Sequence, residues 1–333
     1  MKILITGGCG FVGSNLAIYL QKNLNKSKIF SLDNLSRQGS RLNFLRLKKN
    51  NIKNFKINIE NYNKIKLLPK FDLIIDCCAE AAVEVSRREL DKVINTNLIG
   101  TFNILKKCSK ENCDIIFLSS SRVYSIENLK KISGTKTISE TFEVEKPKSI
   151  YGFSKYSSEL LIKEFSYLFN IKYIINRLGV ISGPWQFGKQ DQGFVSLWVW
   201  RHFKKGKLFY KGFGGKGNQK RDVLHIDDVC KLIILQIKKI RKINNITINA
   251  GGGRNNTISL KQLTQICEKL TSNKIKISSR KTTSNYDIPA YITNNSKVEK
   301  IYKWKPSKNI LKITNDIYIW MKKYEQTVRK YIK

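Results

Sequence analysis

Tyr151 and Lys155 stand four residues apart, a Y-x-x-x-K spacing that opens an amphipathic run. On a helix this puts both side chains on one face, with the ammonium beside the phenol. A free phenol, with a pKa of about 10, is a poor base at neutral pH. A neighbouring cation favours the phenolate and makes proton abstraction feasible. Upstream the chain reads Phe117-Leu-Ser-Ser-Ser-Arg-Val-Tyr124. A serine hydroxyl at the end of a strand there can hydrogen-bond the substrate hydroxyl whose proton the tyrosine takes, and spacing alone does not choose among the serines. Taken alone, Y-x-x-x-K is common, and a solvated surface pair is the plain alternative.

The start of the chain changes that balance: Lys2-Ile-Leu-Ile-Thr-Gly-Gly-Cys-Gly-Phe-Val-Gly13. Ile3 to Ile5 reads as a buried strand, and Leu16, Ala17, Leu20 and Leu24 follow helical spacing over Ser14 to Leu24. Strand, glycine-rich turn and helix together are the setting of a dinucleotide-binding turn. Gly7 allows the tight turn, Gly10 a close approach to a diphosphate and Gly13 close packing of helix on strand. The diphosphate then rests on the helix N-terminus. A second strand, Ile29 to Leu32, ends in Asp33, twenty positions beyond Gly13. A carboxylate there accepts the ribose hydroxyls and repels a 2′-phosphate, so NAD is expected ahead of NADP. Arg37 is the residue that would favour the latter.

The 333 residues suffice for a large core, in one big domain or two. The charge is extreme, 62 Lys+Arg against 25 Asp+Glu, or +37. A basic balance of this size raises nucleic-acid binding as a possibility. The lysines are nevertheless scattered, without a long basic tail, as in a chain rich in Lys, Ile and Asn throughout. No specific nucleic-acid partner is expected, although the field would draw in an anionic substrate. Seven cysteines without C-x-x-C spacing and two histidines offer no zinc constellation, and no metal site is expected. No stretch is long enough to span a membrane, and the first residues read as a strand rather than a signal peptide, so the expectation is a cytoplasmic protein.

The elements that must carry these residues alternate. Phe55 to Ile59, Phe71 to Cys77, Cys113 to Leu118 and Tyr173 to Leu178 read as strands, and Arg87 to Cys108 and Tyr151 to Phe169 as helices. On the first helix Val93, Ile94, Leu98, Ile99, Phe102 and Leu105 form the expected buried side. Asn34 to Gly39 reads as a polar loop. This alternation implies an α/β, doubly wound parallel sheet with ligands at the strand C-termini. Beyond about residue 180 glycines punctuate shorter elements, with helices expected over Asp191 to Phe203, Asp227 to Ile240, Ser259 to Leu270 and Ile310 to Tyr324.

In combination these motifs resemble the extended short-chain dehydrogenase/reductase family over nearly the whole chain. The carriers are G-x-x-G-x-x-G, Asp33-Asn34, Asn97-x-x-Gly100-Thr101, Ser-Ser-Ser-x-Val-Tyr, Tyr151-x-x-x-Lys155 and Arg221-Asp-Val-Leu-His-Ile-Asp-Asp228. The resemblance implies a Rossmann-type domain over residues 1–180, with parts of 220–250, and a smaller nucleotide-sugar-binding lobe over 181–333. It implies Ser120, Tyr151 and Lys155 as catalytic. It gives NAD contacts to Gly7, Gly10, Phe11, Val12, Gly13, Asp33, Asn34, Ser36, Arg37, Asn58, Ile59, Cys78, Ala79, Asn97, Tyr151 and Lys155. Arg221 matches the arginine that binds the substrate diphosphate, and Glu80, Ser121, Arg122, Gln192, Gly193 and Arg280 complete the expected substrate set.

Within the family, Asp33-Asn-Leu-Ser-Arg-x-Gly39, Asp191-Gln-Gly193 and Gly214 to His225 are most similar to epimerases that invert carbon 2 of a CDP-sugar with retained NAD. A 4-epimerase, dehydratase, decarboxylase or reductase is the alternative among enzymes. Outside enzymes it is an NAD- or nucleic-acid-binding protein of the same fold. Ser121-Arg122 stand where the family's 4,6-dehydratases carry Asp-Glu, which disfavours elimination. Asp76-Cys-Cys-Ala-Glu80 departs from a common His-Leu-Ala-Ala-Gln and places a carboxylate near the nicotinamide. A homodimer or homotetramer is implied, pairing the helices at 87–108 and 151–169.

Overall fold

A computed structural model describes residues 1–81, 89–132, 134–189 and 192–332. Two compact units emerge. The first comprises Met1–Val123, Ser149–Arg177 and Val229–Ile248, and the second Tyr124–Lys148, Leu178–Asp228 and Asn249–Lys333.

The first unit is built on strands β1 (Lys2–Thr6), β2 (Lys28–Leu32), β3 (Lys53–Phe55), β4 (Leu73–Asp76), β5 (Asp114–Ser120) and β6 (Tyr173–Leu178). With Ile246–Ala250 they form a seven-stranded sheet in which β1 lies between β4 and β2, β3 is one edge and Ile246–Ala250 the other. The pairs β1/β2, β1/β4, β2/β3 and β4/β5 are parallel. Sequence order therefore reverses between β1 and β4, the switch point at which such sheets open a crevice at the strand C-termini. Leu4, Ile74, Ile115, Phe117 and Ile175 of the sheet are closed over by Ile104, Leu105 and Ile162 from helices.

Two sequence expectations shift here, and one element is added. Strand β3 covers Lys53–Phe55 rather than 55–59, because pairing aligns Phe55 with Leu32 and the chain turns away after it. The helix expected from Arg87 lies partly outside the described residues. From Leu90 it is broken by a π-helical stretch, Asn95–Ile99, before continuing as Gly100–Glu111. The widened turn rotates the later residues, so Ile99 is 41% exposed while Asn97 and Thr101 face the core. Finally, Ser40–Lys49 is a helix that follows the polar loop.

The second unit has a four-stranded sheet in which Lys220–His225 pairs with Val180–Ser182, Thr257–Ser259 and Ala290–Tyr291. A separate parallel pair joins Leu208–Lys211 to Ile277–Arg280. Its core gathers Trp198, Trp200, Leu263, Ile317 and Trp320 from the helices Phe194–Phe203, Leu260–Thr271 and Ile310–Lys323. The first of these helices begins after the expected start, Asp191, which lies outside the described residues. Among the described residues no helix is long and apolar enough to cross a membrane.

Candidate active site

The glycine turn connects β1 to the helix Phe11–Asn23. Gly7 has φ +59, and a Cβ there would come within 2.9 Å of Cys78 Cα on the neighbouring β4 side. At Gly13 a Cβ would lie 2.3 Å from the Gly7 carbonyl oxygen, so helix and turn touch backbone to backbone. The helix starts without a side-chain cap and without an acidic residue in its first turn. Its outward N–H groups thus suit an anion.

Asp33 follows β2 and is braced by the turn itself: Cys9 N donates to Oδ2 at 3.0 Å and Leu35 N to Oδ1 at 2.7 Å. Burial pushes its carboxyl above the ordinary value, while these two donors and Arg37 pull it back. Asn43, on the helix Ser40–Lys49, donates to the Cys9 carbonyl at 3.0 Å and buttresses the turn from outside. Uncapped helix, close-packed glycines and braced carboxylate fit NAD.

At the end of β4, the buried Asp76 accepts from Thr6 Oγ1 at 2.5 Å and Thr101 Oγ1 at 2.9 Å. Cys78 N donates to Thr6 Oγ1 at 3.2 Å, which fixes the run into Ala79 and Glu80. Asn97 is wholly buried and committed: its Oδ1 accepts from Glu80 N at 2.7 Å and its Nδ2 donates to Ser154 Oγ at 2.9 Å. It works as a brace joining the β4 loop to the Tyr151 helix. Asn34 Oδ1 accepts from Ser36 N at 3.0 Å, and Asn58 Oδ1 from Glu60 N at 3.3 Å. Ile59 is buried and would meet a Cβ on Gly100 at 2.7 Å.

Ser120 closes β5, and Ser121–Val123 turn away from it. Tyr151 lies in the first turn of Ile150–Phe169, a helix capped by Ser149 Oγ accepting from Gly152 N at 3.1 Å. The structure brings the Ser120 hydroxyl near enough to the Tyr151 phenol to favour its ionised form. Ser120 Oγ also accepts from Arg122 N at 3.2 Å. Burial raises the Tyr151 phenol above its ordinary value; the nearby Ser120 hydroxyl, Arg122 and Arg37 oppose this, and Glu80 adds to it. Sequence reasoning weighed only the cation and left out the cost of burial. Lys155 is 1% exposed, and its Nζ sits 3.8 Å above the Phe117 ring. Burial pushes its ammonium down, against the pull of Asp76, Cys78, Cys77 and Glu159.

Sequence reasoning missed Glu159. It is fully buried, accepts from Ser119 Oγ at 2.5 Å and from Arg177 Nη2 at 2.7 Å, and so ties the end of β5 to the Tyr151 helix. A signal was present, since Tyr151, Lys155 and Glu159 recur every four residues on one helical face.

Four expected substrate residues belong to the second unit. Gln192 exchanges backbone hydrogen bonds with Lys189, and Gly193, at φ +76, precedes the helix Phe194–Phe203. Arg221 Nη2 donates to Asp287 Oδ1 at 2.9 Å. The Arg280 guanidinium lies 3.8 Å over the Phe209 ring, and its carbonyl accepts from Gly212 N at 2.8 Å. Gly212 would meet Asp287 Oδ2 at 3.5 Å from a Cβ, so Arg221 and Arg280 share one neighbourhood. Among the described residues no group of His, Cys, Asp or Glu is arranged to hold a metal.

Comparison with known proteins agrees with this geometry. The chain is 27% identical to CDP-paratose 2-epimerase of Salmonella typhi, over 96% of this chain and 99% of that protein. It is also 27% identical to UDP-glucuronate 4-epimerase of Thermodesulfobacterium geofontis, over 92% of each. The crystal structure of a UDP-glucose 4-epimerase with UDP-glucose, from Thermotoga maritima, superposes with a TM-score of 0.85 at 25% identity, covering 98% of this chain and 100% of that one. The model of the NAD dependent epimerase/dehydratase family matches residues 3–251. With its NAD-type turn, braced Asp33 and Ser120–Tyr151 pair, the chain belongs to the NAD dependent epimerase/dehydratase family and is an NAD-dependent enzyme.

Proposed function

We propose that the protein is a nucleotide-sugar epimerase working through a transient keto-sugar, most like the CDP-sugar 2-epimerases. The observation that carries the reading is the Ser120 hydroxyl near the buried Tyr151 phenol, in a unit that also carries an NAD-type turn. NAD, when bound, supplies an acceptor that can take a hydride from a sugar carbon and give the same hydride back. Tyr151, as phenolate, takes the proton of the hydroxyl on that carbon and later returns it to the carbonyl oxygen. Ser120 donates a hydrogen bond to the same oxygen and steadies its developing charge. Lys155 contributes a positive charge in a dry site, where it counts for more than in water. Hydride given back to the opposite face would invert the centre with no net redox change.

Support for a CDP-sugar comes from Asp33 to Gly39, Gln192-Gly193 and Gly214 to His225, with Arg221 as the diphosphate ligand and Arg280 a second cation. The absence of Asp-Glu after Ser120 favours epimerisation over dehydration. We also assign the Tyr151 helix to a homodimer contact, since Phe153, Leu160, Tyr167, Leu168 and Phe169 stand exposed on it. Purely monomeric sedimentation would remove that assignment.

The test is to identify the nucleotide released from the denatured protein, and to incubate intact protein with CDP-, UDP-, GDP- and dTDP-sugars in deuterated water. Expected are NAD, an inverted CDP-sugar, an unchanged cofactor and no deuterium at the inverted carbon. Net NADH, a dehydrated product or no conversion would overturn the reading. Inversion of a UDP-sugar alone would overturn the choice of base.

A further inference from the structure

Arg37 follows β2 and Glu80 follows β4, with β1 between those strands. Arg37 nevertheless reaches the β4 side: its Nη1 donates to the Ala79 carbonyl at 3.2 Å and its Nη2 lies 3.6 Å from Glu80 Oε1. The pairing therefore spans the C-terminal end of β1, where the glycine turn begins. Glu80 is built to hold it. The Asn97 side chain grips its backbone at both N–H and carbonyl, and its side chain is 11% exposed. Its other oxygen lies 3.8 Å from Lys92 Nζ.

A 2′-phosphate beside Asp33 would put two anionic groups together and needs a cation to be tolerated. An arginine close to the ribose is the usual provider. Arg37, four residues beyond Asp33, still lowers the Asp33 carboxyl, but its guanidinium is bonded to the Ala79 carbonyl and lies beside the Glu80 carboxylate on the β4 side of the turn.

We propose that Glu80 is a specificity-determining residue that fixes the enzyme on NAD by holding Arg37 across the glycine turn. Asp33 repels the 2′-phosphate, and Glu80 draws toward itself and partly neutralises the cation that would offset the repulsion. NADP is rejected twice, by residues that follow two different strands.

The experiment is a competition between NADP and NAD for the protein as isolated, in wild type, Glu80→Gln and the double variant Arg37→Ala/Glu80→Gln. Glu80→Gln keeps the shape and removes the charge. Its affinity for NADP relative to NAD is expected to rise about tenfold, the scale of one charge-assisted contact. The double variant is expected to lose that gain. An unchanged ratio in a Glu80→Gln protein with a wild-type melting transition would overturn the proposal. So would an equal gain in the double variant, since a bare loss of negative charge would then explain it. Glu80→Ala, read by the same ratio, provides the test if the glutamine variant does not fold.

Discussion

The two units build their polar sites by opposite means. In the first, Asp33, Asp76, Asn97 and Glu159 sit at strand ends or on a buried helical face, each held by named donors or acceptors. In the second, Gln192 and Gly193 lie in a loop, Arg221 and Arg280 lie on strands, and glycines 193, 212, 214, 215 and 217 of the neighbouring turns all have positive φ. Rigid elements hold groups to the tolerance that proton and hydride transfer demand, while loops can be reshaped without disturbing a core. On the proposed assignment, proton transfer falls to the tightly braced residues of the first unit, and Gln192 and Gly193 to a loop of the second.

The largest effect that could break this contrast comes from Tyr151→Phe. If proton transfer runs through the phenol, turnover falls by roughly 10²–10⁴-fold while NAD stays bound. Turnover by single-exposure assay and nucleotide release from the same sample check both halves. Residual activity close to wild type would move the base elsewhere and remove the reason for the first unit's rigidity.

Next come two arginines, one from each unit. Arg177→Met strands the fully buried Glu159 carboxylate and is expected to cost about 3–5 kcal/mol in urea unfolding. Arg221→Met breaks a pair whose carboxylate partner, Asp287, keeps 28% of its side-chain surface in water. It is expected to cost no more than about 1 kcal/mol. Its effect should fall on substrate instead, with KM for the nucleotide-sugar raised roughly tenfold and kcat little changed. Equal losses of stability in the two variants would abolish the distinction between a fully buried pair in the first unit and a partly solvated one in the second.

How much of this was legible follows from the range of each interaction. The glycine turn, Asp33 and the Tyr151–Lys155 pair are local in sequence, and the structure sets them on the elements expected of them. Strand β3 was displaced because its limits are set by pairing with β2, which no local pattern encodes. Ile99 was assigned to the core because an uninterrupted helix would put it there; the π-helical stretch at Asn95–Ile99 turns it outward. Glu159 carried the right periodicity, yet its value depends on Arg177 and Ser119, which meet it only in the folded sheet. Glu80 was read as facing substrate, and its partner Arg37 lies too far back in the chain for spacing to suggest.

The smallest effect concerns pH and sharpens the comparison within the first unit. Burial raises the Tyr151 phenol, the nearby Ser120 hydroxyl opposes it most, and after that Arg122 and Arg37 pull down while Glu80 pushes up. The phenolate is the active form, so kcat/KM climbs as pH passes upward through the phenol's value. Removing a group that lowers that value moves the climb to higher pH, and removing one that raises it moves the climb to lower pH. Arg122→Gln should therefore lose activity at neutral pH and recover it in more alkaline buffer. Glu80→Gln should gain activity at neutral pH and reach its plateau earlier. Both shifts are expected to be a small fraction of the Tyr151→Phe effect, because Ser120 and the dry surroundings remain. Full pH profiles of kcat/KM for the two variants check the signs. Shifts in the same direction would mean that the two charges act through the fold of the β4 and β5 loops rather than on the phenol across the site.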